Sequence, residues 1–316
     1  MDRTLSSASS RAAQEYRVNR QVQVLFLYAS VVLTWGSTWA AIPFQFGVVA
    51  TEVSVAYRFG LAALLLYTYA LLSRRRIRIP ANTIGFVLLQ GTLLFSLNYL
   101  LMYYATERIT SGLVAVIFSS IVLFNAVNER LFFKTRIDGR LAIAGLLGLS
   151  GITMIFWPEV AILSLEDQTV AGIALSLSGT LVASFGNMTA VINTRRELPV
   201  IAVNAHAMAW SALLSFIIAS LLGREFNFSM QPGYIISLVY LAVFGSAIAF
   251  GCYLALIRRI GAARAAYSSV LFPVVALVIS TFIEGYRWTV IAAIGIMLTL
   301  AGNWLILRSK AEHRKQ

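Results

Sequence analysis

From residue 22 onward the chain is a succession of apolar runs about twenty residues long, parted by short polar or Gly/Pro-marked breaks. A predominantly apolar run of roughly that length crosses the hydrocarbon of a bilayer as a helix. The pattern predicts about ten transmembrane helices, over residues 22–44, 53–72, 83–104, 112–133, 141–157, 169–193, 200–222, 233–256, 264–284 and 288–307. The expected fold class is an all-α integral membrane protein. Little chain remains for a soluble domain: residues 1–21 read as a loose cytosolic tail, 158–168 as an external linker and 308–316 as a second cytosolic tail. The first twenty residues, MDRTLSSASSRAAQEYRVNR, are polar and basic and lack the apolar core and small-residue cleavage site of a secretory leader.

Composition agrees with this reading. Hydrophobic residues make up 59% of the 316, charged residues only 12%, and the mean hydropathy is +0.79, whereas soluble domains carry about 25% charged residues. A net charge of +12 raises nucleic acid as a partner, and the placement of the charges argues against it. With the amino terminus in the cytosol, nineteen of the 25 Lys and Arg fall on the cytosolic side, concentrated in the two tails, in RRRIR at 74–78 and in the even-numbered breaks. Arg108, Arg224 and Arg287 fall on the opposite side, and Arg58, Arg130 and Arg264 lie within or at the ends of spans. This is the positive-inside distribution of a protein with both termini cytosolic and an even number of spans. The single cysteine, Cys252, rules out an internal disulfide and leaves no basis for a thiolate metal site; no cofactor is expected.

Two segments recur at nearly the same offset. LTWGSTWAAI at 33–42 superposes on ASFGNMTAVI at 183–192, matching Gly36 to Gly186 and Ile42 to Ile192. SGLVAVIFSSIVLF from 111 superposes on IGAARAAYSSVLFP from 260, matching Gly112 to Gly261 and Ser119-Ser120 to Ser268-Ser269. The halves are expected at 22–157 and 169–307. Five spans in each is an odd number, so the second half enters the membrane from the other side: two inverted five-helix repeats, an architecture that places a substrate site near the midplane and works by alternating access. Chance likeness among small-residue membrane helices is the competing explanation.

TWGSTW in the first span, YRFGLAALLL at 57–66, ATERITSGLVAVIFSS at 105–120 and RRIGAARAAYSSVLFPVVALVISTFIEG at 258–285 together resemble the drug/metabolite transporter superfamily, of the EamA type. The resemblance covers residues 22–307 and rests on the order and spacing of these segments. It implies a ten-helix, two-repeat carrier in a bacterial inner membrane, exporting amino acids or related metabolites without ATP. The family pattern of a mid-helix proline and a closing Gly-Glu pair is kept in part in the second half by Pro273 and Glu284, while the first half has Phe124 and Thr135 at those places and its glutamate at Glu129.

Polar residues inside the apolar runs are the candidates for chemistry, since a charge at the bilayer centre costs about 2.5–3.5 kcal/mol on insertion scales and so faces protein or water. In NAVNERLFF, Asn125, Asn128 and Glu129 are spaced i, i+3, i+4 and share one helical face. Either they line a cavity, with Glu129 binding a cation or carrying a proton for coupling, or the span ends early and Glu129 joins Arg130 and Lys134 at the cytosolic interface. Arg58, and His206 at the corresponding place in the seventh span, could meet a carboxylate; a snorkelling arginine and an interhelical hydrogen bond are their alternatives. Trp35 and Trp39, Tyr99 and Tyr103, and His206 and Trp210 each sit one turn apart. Their faces could hold an apolar or cationic group or merely pack. Ser37, Asn98, Asn187 and Tyr267 complete the candidate cavity set.

The leading functional expectation is a secondary transporter of small zwitterionic or hydrophobic metabolites, most of all amino acids, acting as a monomer within the lipid bilayer. An intramembrane enzyme is the alternative from another class, but the chain has two histidines, one of them His313 in the tail, and no HExxH motif. No GxxxxGK[ST] phosphate loop is present, which removes an ATP-driven pump. A passive channel stays open.

Overall fold

The computed structural model describes residues 21–38, 41–109, 111–135, 139–155, 157, 167–283 and 289–308. No strand occurs among them. The helices, in chain order, are α1 (21–38), α2 (Thr51–Leu72), α3 (Ala81–Thr106), α4 (Ser111–Phe118 and Ile121–Phe133), α5 (Gly139–Ile155), α6 (Asp167–Arg195), α7 (Val200–Leu221), α8 (Pro232–Ile260), α9 (Ala262–Ala266, continued through a tight turn at Tyr267–Leu271 into Phe272–Ile283) and α10 (Val290–Arg308). Six of these, α2, α3, α4, α6, α7 and α8, are each long and apolar enough to cross a bilayer, and α5, α9 and α10 contain shorter apolar stretches.

The ends of the helices follow from local chemistry. Pro199 precedes α7 and Pro232 opens α8, where a missing N–H costs nothing. Lys134 and Glu197 take left-handed conformations at φ 54° and 56° to close α4 and α6, and Gly223 does the same after α7. Large aliphatic side chains such as Leu71, Leu221, Val290 and Met297 point outward and stay exposed, as they can where the surroundings are hydrocarbon.

The two most extensive helix contacts join α2 to α7 and α5 to α10, the second and fifth helices of each half. At the α5–α10 crossing, a Cβ on Gly151 would lie 2.4 Å from the carbonyl oxygen of Gly295, so only glycine lets the two backbones meet there. Polar contacts knit the interior: Ser96 and Ser215 lie 3.2 Å apart, and Asn193 donates to Gln90 at 2.9 Å.

Irregularities recur at matching places in the halves. Both α3 and α8 contain a π-helical stretch, Gly91–Leu97 and Val243–Ile248. Both α4 and α9 are interrupted at the Ser-Ser pair, by a turn at 119–120 and by the tight turn at Tyr267–Leu271. Widened π turns are frequent at functional sites; the one in α3 contributes Leu94 to the wall of the cavity described next, and the one in α8 bonds Trp35 and Arg58, which also line it.

Candidate functional site

A cavity lies between the helices of the two halves, walled by α1–α4 from the first and by α6, α8 and α9 from the second. Water-sized molecules can centre within about 100 Å³ of it, several times the roughly 10–15 Å³ that one water requires. Its wall is overwhelmingly apolar and aromatic.

Trp35 from α1 forms one side. Its ring meets Phe250 at 4.7 Å, Tyr253 at 5.1 Å and Phe272 at 5.6 Å between centroids, and its Nε1–H donates to the carbonyl of Gly245 at 2.8 Å. The fixed indole is a flat apolar surface rather than a mobile one.

Arg58 from α2 forms another. It is 2% exposed, which makes it a buried cation and not a snorkelling one. Its Nε–H donates to Ser246 Oγ at 2.9 Å, and its two other nitrogens reach Tyr103 Oη and the Gly245 carbonyl at 3.4 Å each. The guanidinium carbon stands 4.7 Å from the Tyr99 ring centroid, within cation–π range. Gly245 and Ser246 belong to the π stretch of α8, which thus anchors both Trp35 and Arg58. Among the described residues Arg58 is the only formal charge in the cavity wall, and no described carboxylate pairs with it.

Asn98, Tyr99 and Tyr103 of α3 and Asn187 of α6 also line the cavity. Asn98 Oδ1, Asn187 Oδ1 and Ser269 Oγ are buried without a hydrogen-bond partner among the described residues, although buried acceptors are normally satisfied.

The remaining candidates lie elsewhere. The shared face of NAVNERLFF is a seam between α4, α6 and α9. Asn187 Nδ2 donates to Asn125 Oδ1 at 3.3 Å, Asn125 Nδ2 to the Ala262 carbonyl at 3.4 Å, and Asn128 Nδ2 to Ser184 Oγ at 2.8 Å. Glu129 Oε1 accepts the N–H groups of Ala262 and Ala263 at 2.8 and 3.2 Å. It therefore caps α9, which neither the cavity nor the interfacial reading anticipated, and it does so from the other half of the molecule. Gly261 stands at φ 84° and ψ 163° before that cap, a conformation open essentially to glycine alone. Ser37 ties α1 to Tyr240 of α8 at 2.6 Å. Tyr267 donates to the Ala144 carbonyl at 2.5 Å within the α5–α9 contact. His206 bonds the Ala202 carbonyl at 2.9 Å and packs on Tyr67, and Trp210 donates to Thr92 at 2.9 Å; these are helix-packing positions outside the cavity wall. Trp39 lies outside the described residues.

A second, polar chamber of about 360 Å³ is lined by Phe46, Glu52, Tyr104, Glu107 and Arg224, among others. Glu52 is 1% exposed, accepting from Tyr104 at 2.5 Å and from Arg224 Nε at 3.1 Å. Phe46, which lines this chamber, meets Tyr103, which lines the inner cavity, edge to face at 5.6 Å. The two rings form a partition between the chambers.

Single-sequence reading missed Gly245, Ser246, Phe250, Tyr253, Ser269 and Phe272 as site residues. The recurring Ser-Ser pair was the available signal for Ser269. The others sit in apolar runs indistinguishable from packing.

Comparison with known proteins follows the same outline. The profile of the EamA-like transporter family matches residues 23–157 and again 169–308. Protein PagO of Salmonella typhimurium is 26% identical over 312 residues, spanning 92% of this chain and 97% of that protein. The inner membrane transporter YedA of Escherichia coli is 28% identical over 298 residues, spanning 90% and 94%. A solved crystal structure of a protein superposes with a TM-score of 0.73 at 14% identity, covering 89% of this chain and 95% of that one, a likeness of fold.

Proposed function

The chain belongs to the EamA-like transporter family, and from that premise we propose that it is a secondary carrier of the bacterial inner membrane that exports small metabolites by alternating access. The observation that carries the reading is the cavity itself, built jointly by both halves and lined by fixed aromatic rings around a single buried charge among the described residues. In this account the chain spans the membrane ten times as two inverted five-helix repeats, both termini are cytoplasmic, and a single chain suffices for transport. Inner-membrane placement draws on YedA, and the positive-inside distribution of Lys and Arg supports the orientation.

The substrate class is small hydrophobic or zwitterionic compounds, amino acids foremost. Aromatic walls suit an apolar side chain, and sparse polar groups fix its orientation. On one side the Phe46–Tyr103 partition and the Glu52–Tyr104–Arg224 cluster act as the gate. On the other, the seam of Asn125, Asn187 and Glu129 holds α9 against α4 and α6. Glu129 is the coupling position: protonation removes the charge that holds the first N–H groups of α9, loosening the seam when protons are plentiful.

Counterflow of a labelled amino-acid panel in proteoliposomes tests this. Saturable exchange of one substrate class is expected. Non-saturable flux would indicate a channel, and absence of exchange across amino acids would remove the substrate assignment.

A further inference from the structure

We infer that the group the cavity must read is an anionic carboxylate, gripped by Arg58, and that a substrate's amine is not read as a charge. The inference rests on the cavity being the substrate site, as proposed above, and it narrows which substrates fit.

A guanidinium carries five N–H donors in a planar fork, and Arg58 satisfies them sparingly: one good bond to Ser246 Oγ at 2.9 Å and two long ones at 3.4 Å. The π face of Tyr99 supplies some compensation. A buried cation without a carboxylate partner is costly unless something neutralises it. The nearest acid along α2, Glu52, is held by Tyr104 and Arg224 in the outer chamber, and Glu129 is held by the N–H groups of α9. The partner of Arg58 is thus left for the cargo to bring, and a carboxylate matches the fork in geometry as well as in sign.

The converse holds for the amine. An ammonium entering this cavity meets no described carboxylate in the wall. It meets neutral acceptors, and Asn98 Oδ1 and Ser269 Oγ stand buried there without partners among the described residues. Such oxygens accept any N–H or O–H, charged or not. A zwitterion leaves the site with the net positive charge it had before binding, whereas a monocarboxylate with a neutral donor cancels it. The carboxylate is therefore obligatory and the positive charge dispensable.

The test is inhibition of exchange, and thermal stabilisation, in the full-length protein with five related probes: phenylalanine, 3-phenyllactate, 3-phenylpropionate, phenylalanine methyl ester and 2-phenylethylamine. Phenyllactate is expected to match or exceed phenylalanine. The ester and the amine, which lack the carboxylate, are expected to be about tenfold or more weaker, as the loss of a hydrogen-bonded charge pair implies. Arg58→Gln should weaken the three carboxylates and narrow their advantage, and Arg58→Lys should keep part of it. The probe series on unmodified protein does not depend on either variant folding. An amine or ester as potent as the acids, or failure of both deaminated acids beside a potent phenylalanine, would overturn the inference while leaving the carrier intact. If no probe binds or exchanges in a preparation that unfolds cooperatively, the substrate-cavity reading falls and this inference with it.

Discussion

Glu129 acts through one carboxylate oxygen, which receives two backbone N–H groups from the opposite half of the molecule. Removing a helix cap costs about 0.5–2 kcal/mol, so Glu129→Ala is expected to lower the thermal midpoint of the purified protein. Glu129→Gln keeps an acceptor oxygen and should lose less, while abolishing any response of exchange to an opposed pH gradient. A pH response that survives in Glu129→Gln would assign coupling elsewhere. Gly261 precedes the same cap at φ 84° and ψ 163°. Gly261→Ala should cost about 1–3 kcal/mol, the usual expense of forcing a side chain into a backbone region reserved for glycine. Differential scanning fluorimetry beside the wild type measures both. The sequence disclosed that Asn125, Asn128 and Glu129 share a face, because that follows from helical spacing alone. It did not disclose that Glu129 caps α9, since the N–H groups of Ala262 and Ala263 carry no side-chain signature.

At the scale of elements, the repeated irregularities matter most. The π stretch Val243–Ile248 presents the Gly245 carbonyl and the Ser246 hydroxyl to Trp35 and Arg58. Ser246→Val is expected to leave the helix in place but weaken the hold on Arg58, and so to reduce exchange more than stability. Equal losses in transport and thermal midpoint would make Ser246 a packing residue. The α5–α10 crossing gives a purely structural contrast. Gly151→Val should push the two backbones apart and lower the midpoint sharply, because the opposing atom is the Gly295 carbonyl oxygen, which has little room to yield. Gly251→Ala, where a new Cβ would meet nothing within 4 Å, should be neutral or stabilise the helix by about 0.5–1 kcal/mol. Apolar runs announced where helices would be found, and Arg58 announced itself as a charge within one. The widened turns did not, because GTLLFSL and VFGSAI obey the same apolar composition as the regular helix around them. His206 and Trp210 misled for a related reason: in an apolar helix a polar atom signals that it needs a partner, and the Ala202 carbonyl and the Thr92 hydroxyl meet that need without a ligand.

At the scale of the molecule, the proposed alternating access requires one cavity to face each side in turn. In the proposed cycle the contact of Phe46 with Tyr103 and the cap formed by Glu129 are the two gates, held by unrelated means, ring contact and backbone hydrogen bonding. The most direct test places a single thiol in the cavity. Ser269 is 4% exposed and its hydroxyl has no partner among the described residues, so Ser269→Cys in a Cys252→Ser background is a near-isosteric reporter. The account predicts that a membrane-impermeant maleimide applied from either face of oriented vesicles labels this thiol, and that labelling stops exchange. Labelling from one face alone under every condition, with exchange unaffected, would contradict alternating access through this cavity.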